Sequence, residues 1–247
     1  MKEARFFYVP DAGTATELPA DEAMHALRVL RLRSGDEMFL MDGKGRFYRA
    51  TVTIAATRHC LYEINEVMPQ HKGWKGNIHI AVAPTKNTER IEWFAEKATE
   101  IGIDELTMLN CSLSERKIMR TARVEKIVVA AMKQSRKPWK PTVNGMTDFK
   151  AFIAKERGGL KFIAHCHEDI ERSDLFNYLR EHRDGNDRAD VTVMIGPEGD
   201  FSTDEVRLAK AKGFVSVSLS DSRLRTETAA LYATATAHLA DKERRRG

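Results

Sequence analysis

The sequence predicts an α/β chain of two domains, a small N-terminal β-barrel followed by a larger domain on a largely parallel sheet, and three observations lead to it. Short strand-like runs crowd the first 68 residues around a single amphipathic helix. After residue 77, strand-like and helix-like runs alternate, the pattern of a parallel sheet with crossover helices. Between them, residues 69–77 read PQHKGWKGN, rich in Gly and Lys and without periodicity. That linker divides the chain into domains at 1–71 and 72–247.

In the first domain RFFYV (5–9), DEMFLMD (36–42), GRFYRATVTIAA (45–56) and CLYEINEVM (60–68) read as strands, with DGKG (42–45) as the hairpin turn between the second and third. PADEAMHALRVLRL (19–32) reads as a helix, placing Met24, Leu27 and Leu30 or Arg31 on one stripe with Asp21 near its start. The second domain opens with strand IHIAVAP (78–84) and helix TERIEWFAEKATEIG (88–102), where Ile91, Phe94, Ala95, Ala98 and Ile101 share a face and Gly102 supplies a stop. There follow ELTMLN (105–110), a basic helix around RVEKIVVAAMKQS (123–135), FKAFIAKE (149–156) and LKFIAHC (160–166). Helix SDLFNYLREH (173–182), strand VTVMI (191–195), helix TDEVRLAKAKG (203–213), strand VSVSL (215–219) and a helix from about Glu227 complete the alternation.

With 42% hydrophobic residues the chain can build a sizeable core, yet no apolar run of about 18 residues occurs and the first residues lack the layout of a secretory signal. A cytoplasmic protein without a membrane partner is expected. Cys60, Cys111 and Cys166 are odd in number and widely spaced, which argues against a disulfide framework and a zinc site. His165 and His167 flank Cys166, but a third ligand is missing, so no metal is expected. Fingerprints of P-loop, Rossmann, serine-hydrolase and zincin chemistry are absent.

The net charge of +4 is unevenly distributed. Between Glu115 and Lys140 lie Arg116, Lys117, Arg120, Arg123, Lys126, Lys133, Arg136 and Lys137, against Glu125. Such a local excess suits a polyanion such as RNA, although a solvated helix face also collects cations.

Two loops carry the chemistry. IGPEGDFSTDE (195–205) follows a buried strand, and in an open α/β sheet ligands sit beyond the carboxyl ends of strands. Gly196 and Gly199 let the backbone approach a bound molecule, Pro197 stiffens the turn, and Ser202 with Glu205 forms a capping box. LSDSRLRTETAALYA (219–233) follows the next strand in the same way. Thr226 caps a helix with Glu227 in its first turn, and Arg223 and Arg225 stand where an anionic substrate would lie.

GPEG (196–199) and LRTETA (224–229), with EKATEIG (96–102) upstream and KQSRK (133–137) between, resemble the SPOUT methyltransferases, specifically the ribosomal RNA small subunit methyltransferase E family. The resemblance implies a PUA-like N-terminal barrel, a C-terminal parallel sheet with a deep trefoil knot, and a homodimer whose sites form between subunits. It implies S-adenosylmethionine as cofactor and N3 of a uridine in 16S ribosomal RNA of the small subunit as acceptor. Carried onto this chain, Ile195, Gly196, Pro197, Gly199, Leu219, Leu224, Thr226 and Ala229 would hold the cofactor. Arg225 would stabilise the uracil anion or clamp its phosphate, and Glu198 would shape the loop or accept a proton. Arg136 would act across the dimer. Gln134 and Ser135 would meet RNA, as would Arg116, Lys117, Arg120 and Arg123. On the barrel the candidates for RNA docking are His25, Arg28, Arg31, Arg46 and Arg49. The chain departs from the family at Asp200 and Ser220, each in place of a glycine, and at Ser222. A non-catalytic RNA-binding factor of the same fold and a SPOUT enzyme acting on transfer RNA are the alternative readings.

Overall fold

A computed structural model of the chain describes residues 5–182 and 190–244. Its contacts divide into two compact units, Met1–Gly73 with Val129–Lys140, and Trp74–Val128 with Pro141–Gly247.

The first unit holds a four-stranded sheet in the order β1-β2-β3-β4. Strand β1 (Phe6–Tyr8) runs parallel to β2 (Glu37–Met41), and β2, β3 (Arg46–Ala55) and β4 (Cys60–Pro69) form an antiparallel meander. Alternation on these strands puts Phe7, Met38, Leu40, Ala50, Val52 and Tyr62 into one core. Helix α1 (Ala20–Met24) widens into a π-helical turn, His25–Val29, where the Leu30 N–H donates to the His25 carbonyl. The widening corrects the expected stripe: Ala23 and Ala26 face the core, Leu27 and Leu30 pack at its edge, and Met24 is 45% exposed.

At the hairpin after β2, the buried Asp42 carboxylate accepts from the backbone N–H groups of Lys44 and Arg46 and from the Tyr48 hydroxyl. Gly45 has φ 99°, and a Cβ there would fall 2.1 Å from the Trp139 ring. The Gly45 N–H donates to the Pro138 carbonyl and the Lys140 N–H to the Gly43 carbonyl. This pairing draws the segment after the basic helix into the first unit, a non-local contact that a linear reading of the chain does not supply.

The second unit is built on seven parallel strands in the order β7-β6-β5-β10-β8-β11-β9. These are β5 (Ile78–Val82), β6 (Glu105–Asn110), β7 (Thr142–Asp148), β8 (Leu160–Ala164), β9 (Ser173–Asp174), β10 (Val191–Ile195) and β11 (Val215–Ser218). Every residue of β5 and β10 is buried, which is why both read as largely apolar runs, broken only by His79 and Thr192. Strands β7 and β9 are additions to the sequence reading; β7 is an edge strand carrying Asn144 and Gly145, and β9 has two residues.

Helices α4 (Phe149–Ala154) and α6 (Thr203–Ala211) belong to one face, sharing a core with Ala81, Ile163 and Met194. Helix α7 (Thr226–Arg244) packs on α2 (Thr88–Ile101), α5 (Leu175–His182), β5 and β10. Helix α3 (Thr121–Ser135) begins in the second unit, and its last turns count with the first. Because β10 lies between β5 and β8, with β11 beyond, the loops leaving four parallel strands gather at one edge.

Candidate active site

At that edge is a cavity of about 340 Å³ lined by the ends of β8, β10 and β11 and the start of α7, within the size range of small-molecule sites. Ile195, Gly196, Pro197, Leu219, Leu224, Thr226 and Ala229 line it, together with Glu198 and Arg225. The structure therefore brings together seven of the eight residues proposed for the cofactor. Gly199 lies outside the lining, where a Cβ would stand 3.3 Å from Leu113.

The loop after β10 is shaped by its glycines and its cap. A side chain at Gly196 would meet Phe201 at 3.1 Å, and Phe201 is fully buried in the core shared with α4 and α6. The capping box at Ser202 is present: its hydroxyl accepts from the Glu205 N–H at 3.2 Å while Glu205 accepts from the Ser202 N–H at 2.9 Å. Asp200 has φ 66°, a left-handed conformation that Gly, Asn and Asp adopt more readily than other residues. Its carboxylate accepts from the Cys166 and Phe201 N–H groups, each at 2.7 Å. Glu198 accepts from the Lys86 N–H at 3.0 Å and so fastens this loop to the one after β5.

In the loop after β11 the Ser220 hydroxyl accepts from the Ser222 N–H at 3.1 Å, ordering a turn. The Thr226 hydroxyl, expected to cap its own helix, donates instead to the Gly196 carbonyl at 3.2 Å. That single bond joins the two loops. The first turn of α7 closes with the Ala229 N–H on the Arg225 carbonyl, and Arg225 is exposed at the rim.

A third wall was not read from the sequence. His165, Cys166 and Arg172 line the cavity because β8 lies between β10 and β11, and the Arg172 guanidinium donates to the His165 carbonyl. His165 is buried with neither ring nitrogen hydrogen-bonded, and burial lowers its pKa to about 4 against the opposing pull of Asp200. Arg90 of α2 also lines the cavity, 3.7 Å from Glu227. The available signal was positional: HCH closes a strand as the two motif loops do. Among the described residues no group of three or more His, Cys, Asp or Glu could hold a metal ion.

The remaining candidates scatter. Arg116 donates to the Thr85 and Lys86 carbonyls, and Arg123 pairs with Glu92 at 2.7 Å, so both are engaged within the second unit. Lys117 and Arg120 are exposed. In the first unit Arg136, at φ 53°, lies 5.5 Å over the Phe6 ring and does not line the cavity. Gln134 is exposed, and the Ser135 hydroxyl donates to the Ala131 carbonyl. His25 sits edge-on to Phe7; Arg28, Arg31 and Arg46 are exposed; Arg49 pairs with Glu66 at 2.9 Å.

Comparison with known proteins settles the lineage. A profile for an RNA methyltransferase domain matches residues 72–238, and one for an RNA methyltransferase PUA domain matches residues 18–64. The ribosomal RNA small subunit methyltransferase E of Synechocystis is 30% identical over 213 residues, covering 84% of this chain and 67% of that one. The chain belongs to the ribosomal RNA small subunit methyltransferase E family. The methyltransferase E of Rickettsia conorii is 28% identical, covering 90% of this chain and 89% of its own. A crystal structure of a "probable rRNA-methyltransferase" from Porphyromonas gingivalis matches with a TM-score of 0.88 at 38% identity, over 97% of this chain and 99% of that one. A Legionella pneumophila methyltransferase, solved with bound SAM, matches with a TM-score of 0.84 at 26% identity, over 96% and 98%. For this member of the methyltransferase E family, the cavity lies wholly within the matched methyltransferase domain.

Proposed function

We propose that this protein transfers the methyl group of S-adenosylmethionine to N3 of a uridine in 16S ribosomal RNA, in the cytoplasm and as a homodimer. The observation that carries the reading is the cavity between the two motif loops, closed by the bond from Thr226 to Gly196. Its walls suit that cofactor. Pro197, Leu219 and Leu224 offer apolar surface, the glycine loop exposes backbone, and no phosphate-binding loop is needed because the cofactor has no phosphate.

S-adenosylmethionine, when bound, supplies an electrophilic methyl group on a sulfonium. The protein's part is alignment, exclusion of water and handling of the imide proton. Arg225 at the rim stabilises charge developing on the uracil ring, and Glu198, fixed by the Lys86 N–H, holds the loop in shape. N3 is engaged in base pairing in a duplex, so the uridine must be unpaired or turned out. The first unit, with exposed Arg28, Arg31 and Arg46, docks RNA, as do Lys117 and Arg120.

Dimerisation uses the exposed apolar side chains of α2 and α7, Trp93, Tyr232 and Leu239, and Arg136 of a second copy completes the site. The position of β10 between β5 and β8 supports the knotted path implied by the family. No helix among the described residues is long and apolar enough to cross a membrane. Mass mapping of ribosomal RNA from a deletion strain tests the whole reading: one 16S uridine should lose a methyl group. An intact 16S pattern with a missing transfer RNA methyl group would assign the enzyme to the other substrate.

A further inference from the structure

Asp200 adds a carboxylate to the residues lining the cavity, from a backbone conformation that L side chains seldom adopt. The residue keeps the left-handed backbone, φ 66°, that glycine adopts freely. The residue lines the cavity, with one carboxylate oxygen on the Cys166 N–H and the other on the Phe201 N–H. Both donors are neutral backbone groups. The carboxylate is thus fixed in direction by uncharged donors, with the Arg172 guanidinium in the same lining. Of the other charged residues in the lining, Glu227 pairs with Arg90, Glu198 is held by the Lys86 N–H, Arg172 is held on the His165 carbonyl, and Arg223 and Arg225 are exposed. The influence of Asp200 reaches inward, since it opposes the burial that holds the His165 imidazole neutral.

We propose that Asp200 is a specificity-determining residue that makes the cavity favour a cationic sulfonium ligand over the neutral thioether left after methyl transfer. The inference rests on the cofactor reading above. In the transfer the methyl–sulfur bond breaks and its electron pair stays on sulfur, while N3 forms the new bond to carbon and gives up its proton to solvent or a base. The ligand thereby loses one positive charge at sulfur. An oriented anion in a partly enclosed site responds to that loss, whereas the backbone and apolar walls, which meet both forms alike, do not. The spent ligand is then held less tightly than the fresh one.

Calorimetry on the full chain tests this with S-adenosylmethionine, S-adenosylhomocysteine and an analogue carrying an ammonium group in place of the sulfonium. In Asp200→Asn and Asp200→Gly the ratio of thioether Kd to sulfonium Kd should fall roughly tenfold, about 1.4 kcal/mol, with the ammonium analogue following the sulfonium. In the wild type the same ratio should shrink as salt rises toward about 0.5 M, a readout available even if a variant folds poorly. An unchanged ratio, a parallel loss of both ligands, or no dependence on salt would overturn the proposal and leave Asp200 an anchor between loops. A wild type that binds none of the three would overturn the cofactor reading, and this inference with it.

Discussion

Thr226 and Arg225 are neighbours with different jobs, and two substitutions separate them. Thr226→Val removes the donor to the Gly196 carbonyl inside the fold. An unpaired buried acceptor costs about 1–3 kcal/mol, so the variant should melt several degrees lower and bind S-adenosylmethionine more weakly, as thermal scans and calorimetry would show. Arg225→Ala removes an exposed guanidinium. It should lower turnover on RNA at least tenfold while leaving cofactor Kd within about twofold; an equal loss of both would make it a cofactor or folding residue. Local signals made these residues legible, because glycines, a capping box and arginines beside a helix start are marks of sequence neighbours. The wall from His165 to Arg172 was not legible, since its place in the cavity depends on β8 lying between β10 and β11.

Elements show the same division between local and non-local information. The basic stretch between Glu115 and Lys140 reads as one local excess of charge, yet Arg116 is a clamp on the loop after β5 while Lys117 and Arg120 are exposed. Lys117→Gln with Arg120→Gln should reduce the log–log salt slope of RNA binding by about 0.7–0.9 per lost phosphate contact, leaving the melting temperature unchanged. Arg116→Ala should lower the melting temperature by leaving the Thr85 and Lys86 carbonyls without its guanidinium. On α7, Ala230, Ala233, Ala237 and Ala240 are fully buried within the chain and are not open to a partner. A charge at Ala233 would therefore break the fold. The dimer is better tested at Tyr232 and Leu239, 46% and 57% exposed and two helical turns apart. Tyr232→Glu with Leu239→Glu should yield a folded monomer by light scattering.

At the scale of the molecule, acid stability draws on two buried imidazoles, His165 at the cavity and, more strongly shifted, His79. His79 is enclosed between Thr107 and Phe152, with Glu105 3.4 Å away but partly solvated, and burial, aided by Arg157 and Lys155, lowers its pKa to about 3. An unfolded chain takes up that proton near pH 6.5 and the folded one refuses it. The contribution of His79 to stability is therefore complete above pH 6.5 and declines by up to about 1.4 kcal/mol per pH unit as pH falls toward 3. Thermal scans should show this slope, and His79→Asn should reduce it to the share that His165 contributes. The order of the strands also governs how the molecule comes into being. Strand β10 pairs on both sides, with Ile78 to Val82 and with Leu160 to Ala164, yet it is made more than a hundred residues after β5. At roughly 5–20 residues per second, β5 emerges from the ribosome several seconds before its central neighbour exists, with an apolar, unpaired edge open to other chains. Refolding from denaturant should accordingly be slow and lose yield steeply as protein concentration rises, with the losses suppressed by a chaperone that shields strand edges.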